Sequence, residues 1–255
     1  MKTDFSELKD GKKVYFASDF HLGAPNDEES LIRETKIVDW LDSIKSDAQA
    51  VFLVGDIFDF WFEYKYSVPK GFIRFLGKVA ELSDEGIEFI FYTGNHDMWM
   101  YEYFPTHLNV AIIRQPTNWN INGKNFHIGH GDGLGPGDRT YKILKKVFAN
   151  SLCQWMFQWL HPNVGMGIAK AWSRQSRAHT SESDGGFDEE NEWILTYCKE
   201  IDPEERSDFY IFGHRHLLID VAVGESGRYI NLGEWVTQSN YAVFDGNILE
   251  LKSFD

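Results

Sequence analysis

Short apolar runs, each stopped by a glycine or a small polar residue, recur along the chain. Residues 14–17 end at Ser18-Asp19, 51–54 at Gly55-Asp56, 88–92 at Thr93-Gly94, 126–128 at Gly129 and 209–212 at Gly213. Runs this short, closed by turn residues, predict buried strands. Helix-like stretches over 29–46 and 71–83 separate the first three, and strand–helix–strand alternation predicts an α/β fold. Further strands are expected at 218–223, 228–232, 242–244 and 248–254, as a β-rich meander. Two packed sheets with helices outside accommodate this pattern.

The stretch 138–179 reads differently. Leu144, Val147, Phe148, Leu152, Trp155, Met156, Trp159 and Leu160 recur at helical spacing, with Asp138 placed to cap one long helix. Pro162 breaks it, and a second helix is expected over 164–177. The stretch carries seven basic residues (Arg139, Lys142, Lys145, Lys146, Lys170, Arg174 and Arg177) against one acid, Asp138. A core helix with a solvated basic face explains the apolar stripe, but not this charge excess in a chain of net charge −14.

That overall charge would repel a nucleic-acid backbone, which disfavours a general nucleic-acid-binding role. At 255 residues, 43% hydrophobic, a single globular domain spanning 1–255 is the expectation. Cys153 and Cys198 have no metal-ligand spacing, so a reducing compartment is expected and a disulfide is not. The chain starts without an apolar signal core and has no run near the roughly 20 apolar residues that span a bilayer. The expected location is cytoplasmic, with any membrane contact made from the surface.

Chemistry concentrates where the strands end. Asp19-Phe20-His21, Gly55-Asp56-Ile57-Phe58-Asp59, Gly94-Asn95-His96-Asp97, Gly129-His130-Gly131-Asp132 and Gly213-His214-Arg215-His216 follow the five strands in order. In Asp-x-His the two ligands share a face, because side chains alternate along extended backbone. Asp56 has two oxygens and can bridge two cations; Asn95 offers an amide oxygen; His130, His214 and His216 offer ring nitrogens. This mixed nitrogen and oxygen set suits Mn²⁺, Fe or Zn²⁺ better than Ca²⁺, and with no thiolate it is not a structural zinc site. Any one motif alone reads more readily as ordinary turn residues; five in order do not. His107, His127, His161 and His179 read as structural. His96, beside Asn95, is expected to face a substrate and to protonate a leaving group or steady phosphate charge, with Asp97 holding its ring.

Together the motifs resemble those of the calcineurin-like metallophosphoesterases, over residues 14–216. The resemblance implies a four-layer α/β/β/α sandwich. It implies one metal held by Asp19, His21, Asp56 and His216 and another by Asp56, Asn95, His130 and His214, with His96 as the catalytic histidine. The segments Gly55 to Trp61, His130-Gly131-Asp132 leading to Tyr141, Ser173-Arg174-Gln175-Ser176-Arg177, and Leu232-Gly233-Glu234-Trp235 are similar to the UDP-2,3-diacylglucosamine hydrolases of lipid A synthesis. That resemblance implies cleavage of UDP-2,3-diacylglucosamine to UMP and 2,3-diacylglucosamine 1-phosphate with two divalent ions, Mn²⁺ foremost. It implies a helical-hairpin lid over 137–180, at which Tyr141, Ser176 and Thr180 meet substrate beside Arg177. The best-known lipid A enzymes carry Arg where this chain has His96, and Asn where it has Thr180.

The island itself points to a lipid-like substrate. An acyl chain needs an apolar groove, at about 0.8 kcal/mol per buried methylene. Trp155, Trp159, Trp172, Phe148 and Phe157 are candidates to line it, with Lys and Arg drawing in a diphosphate or an anionic membrane surface. A second aromatic group, Phe58 to Tyr66, is expected to pack partly in the core and partly along the groove. Two rival readings are the same metal chemistry on a soluble nucleotide or phosphodiester, and a metal-binding scaffold without turnover. A scaffold has no use for His96 beside the metals.

Overall fold

The structure is a computed structural model that describes residues 5–136, 139–183 and 186–255, without the side chains of 139–141, 170 and 174–183. One sheet has the order β11(Leu249–Ser253), β10(Asn240–Phe244), β1(Lys13–Ala17), β2(Ala48–Val54), β3(Glu88–Tyr92) and β4(Ala111–Ile113). The other has the order β5(Thr117–Ile121), β6(Lys124–Ile128), β7(Phe209–Phe212), β9(Gly227–Leu232) and β8(Leu218–Val223). β1 to β4 pair in parallel, as do β6, β7 and β9.

Alternation along these strands builds the layers. Val14, Phe16, Phe52, Val54, Ile90 and Tyr92 face one way and meet Phe126, Ile128, Ile211 and Ile230 of the other sheet. Their neighbours Tyr15, Val51, Leu53, Phe89 and Phe91 face the opposite way. There they pack on Trp40 and Leu41 of α1(Asp27–Ile44) and on Phe75 and Val79 of α2(Ile73–Asp84). Tyr210, Phe212 and Tyr229 cover the far side of the second sheet against Ile194, Leu195 and Cys198 of α7(Trp193–Ile201). The result is the expected α/β/β/α sandwich.

Helix ends follow their capping residues. Asn26 accepts from the backbone of Glu28 and Glu29, and three acids fill the first turn of α1. α2 starts at Phe72 with no side-chain cap of its own; Glu34, buried on α1, accepts from Arg74 N and Phe75 N in its place.

Three expectations are corrected. The C-terminal strands are not one meander: β8 and β9 form a hairpin in the second sheet, whereas β10 and β11 form one in the first. The single long helix before Pro162 is two, α4(Arg139–Ala149) and α5(Ser151–Gln158). Asn150 divides them by taking an extended conformation and accepting from Leu152 N and Cys153 N. Pro162 opens α6(Pro162–Ser183), the first-turn position that tolerates its missing N–H. The proposed cap Asp138 lies outside the described residues. β4, β5, α3(Tyr103–Leu108) and α7 had no place in the sequence reading.

Candidate metal centre

All five motifs sit just past the C-terminal ends of parallel strands: β1, β2 and β3 of one sheet, β6 and β7 of the other. The loops meet where the two sheets adjoin. Asp19, His21, Asp56, His214 and His216 all take positive φ, a left-handed backbone uncommon outside glycine and concentrated at functional sites. The strain is held by contacts between loops. His21 N donates to Asp56 O at 2.9 Å, Asp19 N to Gly55 O at 3.1 Å, and His214 N to Asp19 Oδ2 at 3.0 Å. Arg33, buried on α1, donates to the His21 carbonyl at 2.8 Å and to that of Ala24. A Cβ on Gly94 would collide with the Asp56 carboxylate, so the loop after β3 passes over it only as glycine.

The predicted donors fall into two adjoining groups, Asp19, His21 and His216, and Asp56, His130 and His214; His21 also clusters with Asp59 and His96. His21 Nε2 lies 3.1 Å from His216 Nε2, and Asp19 Oδ1 lies 3.3 Å from His216 Nε2. In the other group His130 Nε2 lies 3.4 Å from Asp56 Oδ2 and 3.2 Å from Asn95 Oδ1. Asp56 Oδ2 is also 3.8 Å from His21 Nε2, which sets this carboxylate between the groups. His130 Nδ1 is 2.8 Å from the Val54 carbonyl. A carbonyl only accepts, so Nδ1 carries the hydrogen and Nε2 presents its lone pair inward, as a metal-ligating imidazole must. Asp19 Oδ1 is buried with no hydrogen-bond donor. Ring nitrogens and carboxylate oxygens crowded this closely, one of them unsatisfied, fit two divalent cations.

Charge in the site agrees. Burial works to raise the Asp56 carboxyl, but His130 and His96 hold it well below the usual range. Burial works against a charged His130, yet Asp56 and Asp19 carry it up to about 10. A cation beside these carboxylates would take the place of that proton. Burial pushes His214 and His96 down to about 4, so both rings are neutral near pH 7.

His96 lies where expected, its ring 4.9 Å from that of His21. What holds it is a correction. Asp97 accepts instead from the backbone N–H groups of Ile57, Phe58 and Gly94, clamping the loop after β3 to the loop after β2. The His96 Nδ1 lies 3.0 Å from the Asp59 carbonyl and 3.1 Å from Ser173 Oγ. Asp59 Oδ1 lies 3.8 Å from His21 Nδ1 and 3.9 Å from His96 Nδ1. The sequence assigns no individual role to Asp59 or Ser173, although Asp59 closes the Asp56 motif and Ser173 opens the segment Ser173 to Arg177 that carries the closer resemblance. Arg215 points away from the site into an ion pair with Glu192, 2.9 Å, so that the histidines on either side of it turn inward.

The helical insertion reaches this centre through Ser173 beside His96, and its aromatics divide. Phe157 packs on Phe62 and Trp99, centroids 4.7 and 4.9 Å away, and Phe148 packs on Trp99. These two anchor the hairpin and do not line an open groove. Trp155 and Trp159 are 55% and 75% exposed, and Leu152, Met156, Val164, Ile168 and Trp172 are exposed as well. The basic residues divide too: Lys145 pairs with Asp132 at 2.6 Å and Lys142 donates to Gly135 O, tying α4 to the His130 loop. The side chains of Tyr141, Ser176, Arg177 and Thr180 lie outside the described residues.

The chain belongs to the calcineurin-like phosphoesterase family, whose model matches residues 12–218, and is therefore a metal-dependent hydrolase. It is 40% identical to the UDP-2,3-diacylglucosamine hydrolase of Porphyromonas gingivalis over 95% of this chain and 98% of that one. It is 24% identical to the enzyme of the same name from Shewanella baltica, over 94% and 97%. A predicted phosphoesterase of Streptococcus pneumoniae aligns with a TM-score of 0.43 at 12% identity, covering 95% of this chain and 88% of that structure.

Proposed function

We propose that this protein hydrolyses the diphosphate of UDP-2,3-diacylglucosamine to UMP and 2,3-diacylglucosamine 1-phosphate. The observation that carries the reading is the 40% identity to the Porphyromonas gingivalis hydrolase across nearly both chains. The exposed apolar residues of α5 and α6, a segment that reaches His96 through Ser173, fit a substrate with acyl chains.

Asp19, His21, Asp56 and His216 would hold one divalent cation and Asp56, Asn95, His130 and His214 the other, with Asp56 bridging. Two such cations lower the pKa of a water and offset charge on the phosphoryl oxygens. Mn²⁺ is the proposed pair; Fe and Zn²⁺ suit the same donors. With its Nδ1 hydrogen on the Asp59 carbonyl, neutral His96 is left with Nε2 as the free ring nitrogen. Taking up the proton that the attacking water loses, that nitrogen would pass it to the leaving phosphate oxygen. Asp97 keeps the two loops in register. Trp155 and Trp159 would receive acyl chains, with Tyr141, Ser176, Arg177 and Thr180 contacting substrate from the lid, residues 137–180. No described helix is long and apolar enough to cross a membrane. The exposed lid supports peripheral contact with the cytoplasmic face of the inner membrane, where this lipid is met.

UMP release from UDP-2,3-diacylglucosamine, measured with and without Mn²⁺, tests the proposal. Strong Mn²⁺-dependent release is expected. Absence of release, with a small phosphodiester still cleaved, would keep the metal chemistry and reject this substrate.

A further inference from the structure

α6 meets the body of the protein through small residues four apart. Gly165, Ala169 and Ser173 are buried, whereas Val164, Ile168 and Trp172, each one position earlier, are exposed. A Cβ on Gly165 would stand 2.5 Å from the Tyr64 hydroxyl, so the helix lies close against the loop that follows β2. One turn beyond Ala169 this close approach delivers Ser173, 3% exposed, to the His96 ring, with Oγ 3.1 Å from Nδ1. The Asp59 carbonyl, 3.0 Å from the same nitrogen, fixes the hydrogen there, and the Ser173 oxygen shares it as a second acceptor. His96 is thus held by two groups of different origin: one fixed in the metal-bearing loop after β2, one carried by the lid.

We propose that Ser173 is a positioning residue for His96, and that through it the seating of the lid sets the ring's orientation. The proposal rests on His96 acting on the phosphate, but not on the identity of the lipid. With the lid seated, the ring is held from two sides and Nε2 keeps one direction. With α6 lifted, the Asp59 carbonyl alone remains and the ring turns about that single contact. A substrate that fills the lid therefore also orders the histidine that acts on it.

The test uses the Mn²⁺-loaded enzyme and bis-p-nitrophenyl phosphate, a substrate too small to depend on acyl contacts. Ser173→Ala should lower kcat about tenfold with KM unchanged, the scale of a lost orienting hydrogen bond at a general acid. Ser173→Thr, which keeps the hydroxyl, should restore most of it. His96→Ala and the double variant should be equally slow, because a positioning residue has nothing left to position. Wild-type kcat in Ser173→Ala, or additive losses in the double variant, would overturn the proposal. If the enzyme cleaves this phosphodiester but not UDP-2,3-diacylglucosamine, the proposed substrate fails while the Ser173 cycle is still read on the small one.

Discussion

At the scale of single residues, neighbouring histidines have opposite uses. His130 turns inward among the donors, whereas His127, one strand turn earlier, is held by Asn118 Oδ1 on Nδ1 and the Tyr197 hydroxyl on Nε2. Nδ1–H donates to the amide oxygen, and in the neutral ring Nε2 accepts from the phenol. Burial lowers its pKa below the ordinary 6.5, only partly offset by Glu205. The unfolded chain therefore binds a proton that the folded one refuses. Stability contributed by this residue is present above about pH 6.5 and is lost as pH falls through the folded value. His127→Gln should cost about 1 kcal/mol at pH 7.5 through its lost hydrogen bonds. It should also shrink the fall in Tm between about pH 7.5 and 5.5 relative to wild type; an unchanged fall would remove His127 from the pH response. The sequence made His127 and His130 separable, because one alternates within a strand and the other follows its closing glycine. It could not show that Asp59, 37 residues from His96, and not the adjacent Asp97 reaches that ring; only the folded loops show that Asp97 faces backbone amides.

Among the elements, the hairpin α4 to α6 carries the clearest division of labour. Phe157 is inserted among Phe60, Phe62 and Trp99, whereas Trp155 and Trp159 meet edge to face at the surface, centroids 6.1 Å apart. Truncating exposed side chains changes stability within about 0.5 kcal/mol. Trp155→Ala and Trp159→Ala should therefore keep Tm and the rate on bis-p-nitrophenyl phosphate while raising KM for the diacyl nucleotide. Phe157→Ala should act differently: it should free the hairpin, speed its proteolytic cleavage, and lower kcat on the small substrate as Ser173→Ala does, because an unseated α6 no longer holds His96. Equal losses on both substrates in the tryptophan variants would argue for a soluble substrate. The hairpin's apolar period was legible, but its register was not. The period runs unbroken from Leu144 to Leu160, so the stop at Asn150 is invisible to it. Which aromatics anchor and which stay exposed depends on Trp99 and Phe62, which come from distant loops. β5 escaped for a related reason: its sequence, Thr117 to Ile121, is rich in asparagine because it is an edge strand, exposed at alternate positions.

In the whole molecule, the donors come from both sheets. Asp19, Asp56 and Asn95 follow strands of the first sheet; His130, His214 and His216 follow strands of the second. The strand ends and their motifs were legible because each buried run stops at a glycine or small polar residue. Which run joined which sheet was not, since β10 and β11 return to the first sheet only after β6 to β9 have formed the second. Cations held by these donors would therefore join two layers otherwise held by the apolar contacts between them. A ligand that binds only the folded state at a hundredfold excess over its Kd adds about 2.7 kcal/mol. For a chain of this size that raises Tm by about 5–10 °C. Mn²⁺ added to chelator-treated protein should produce such a rise. Asp56→Ala removes the one carboxylate set between both donor groups. It should abolish the Mn²⁺-induced rise, leave less than one bound metal per chain by elemental analysis, and lose nearly all turnover. His216→Ala touches only the group around Asp19 and His21, and should retain part of the rise and about one metal. If Asp56→Ala kept both metals and the full Tm increase, the two groups would be independent sites and the bridging role of Asp56 would be wrong.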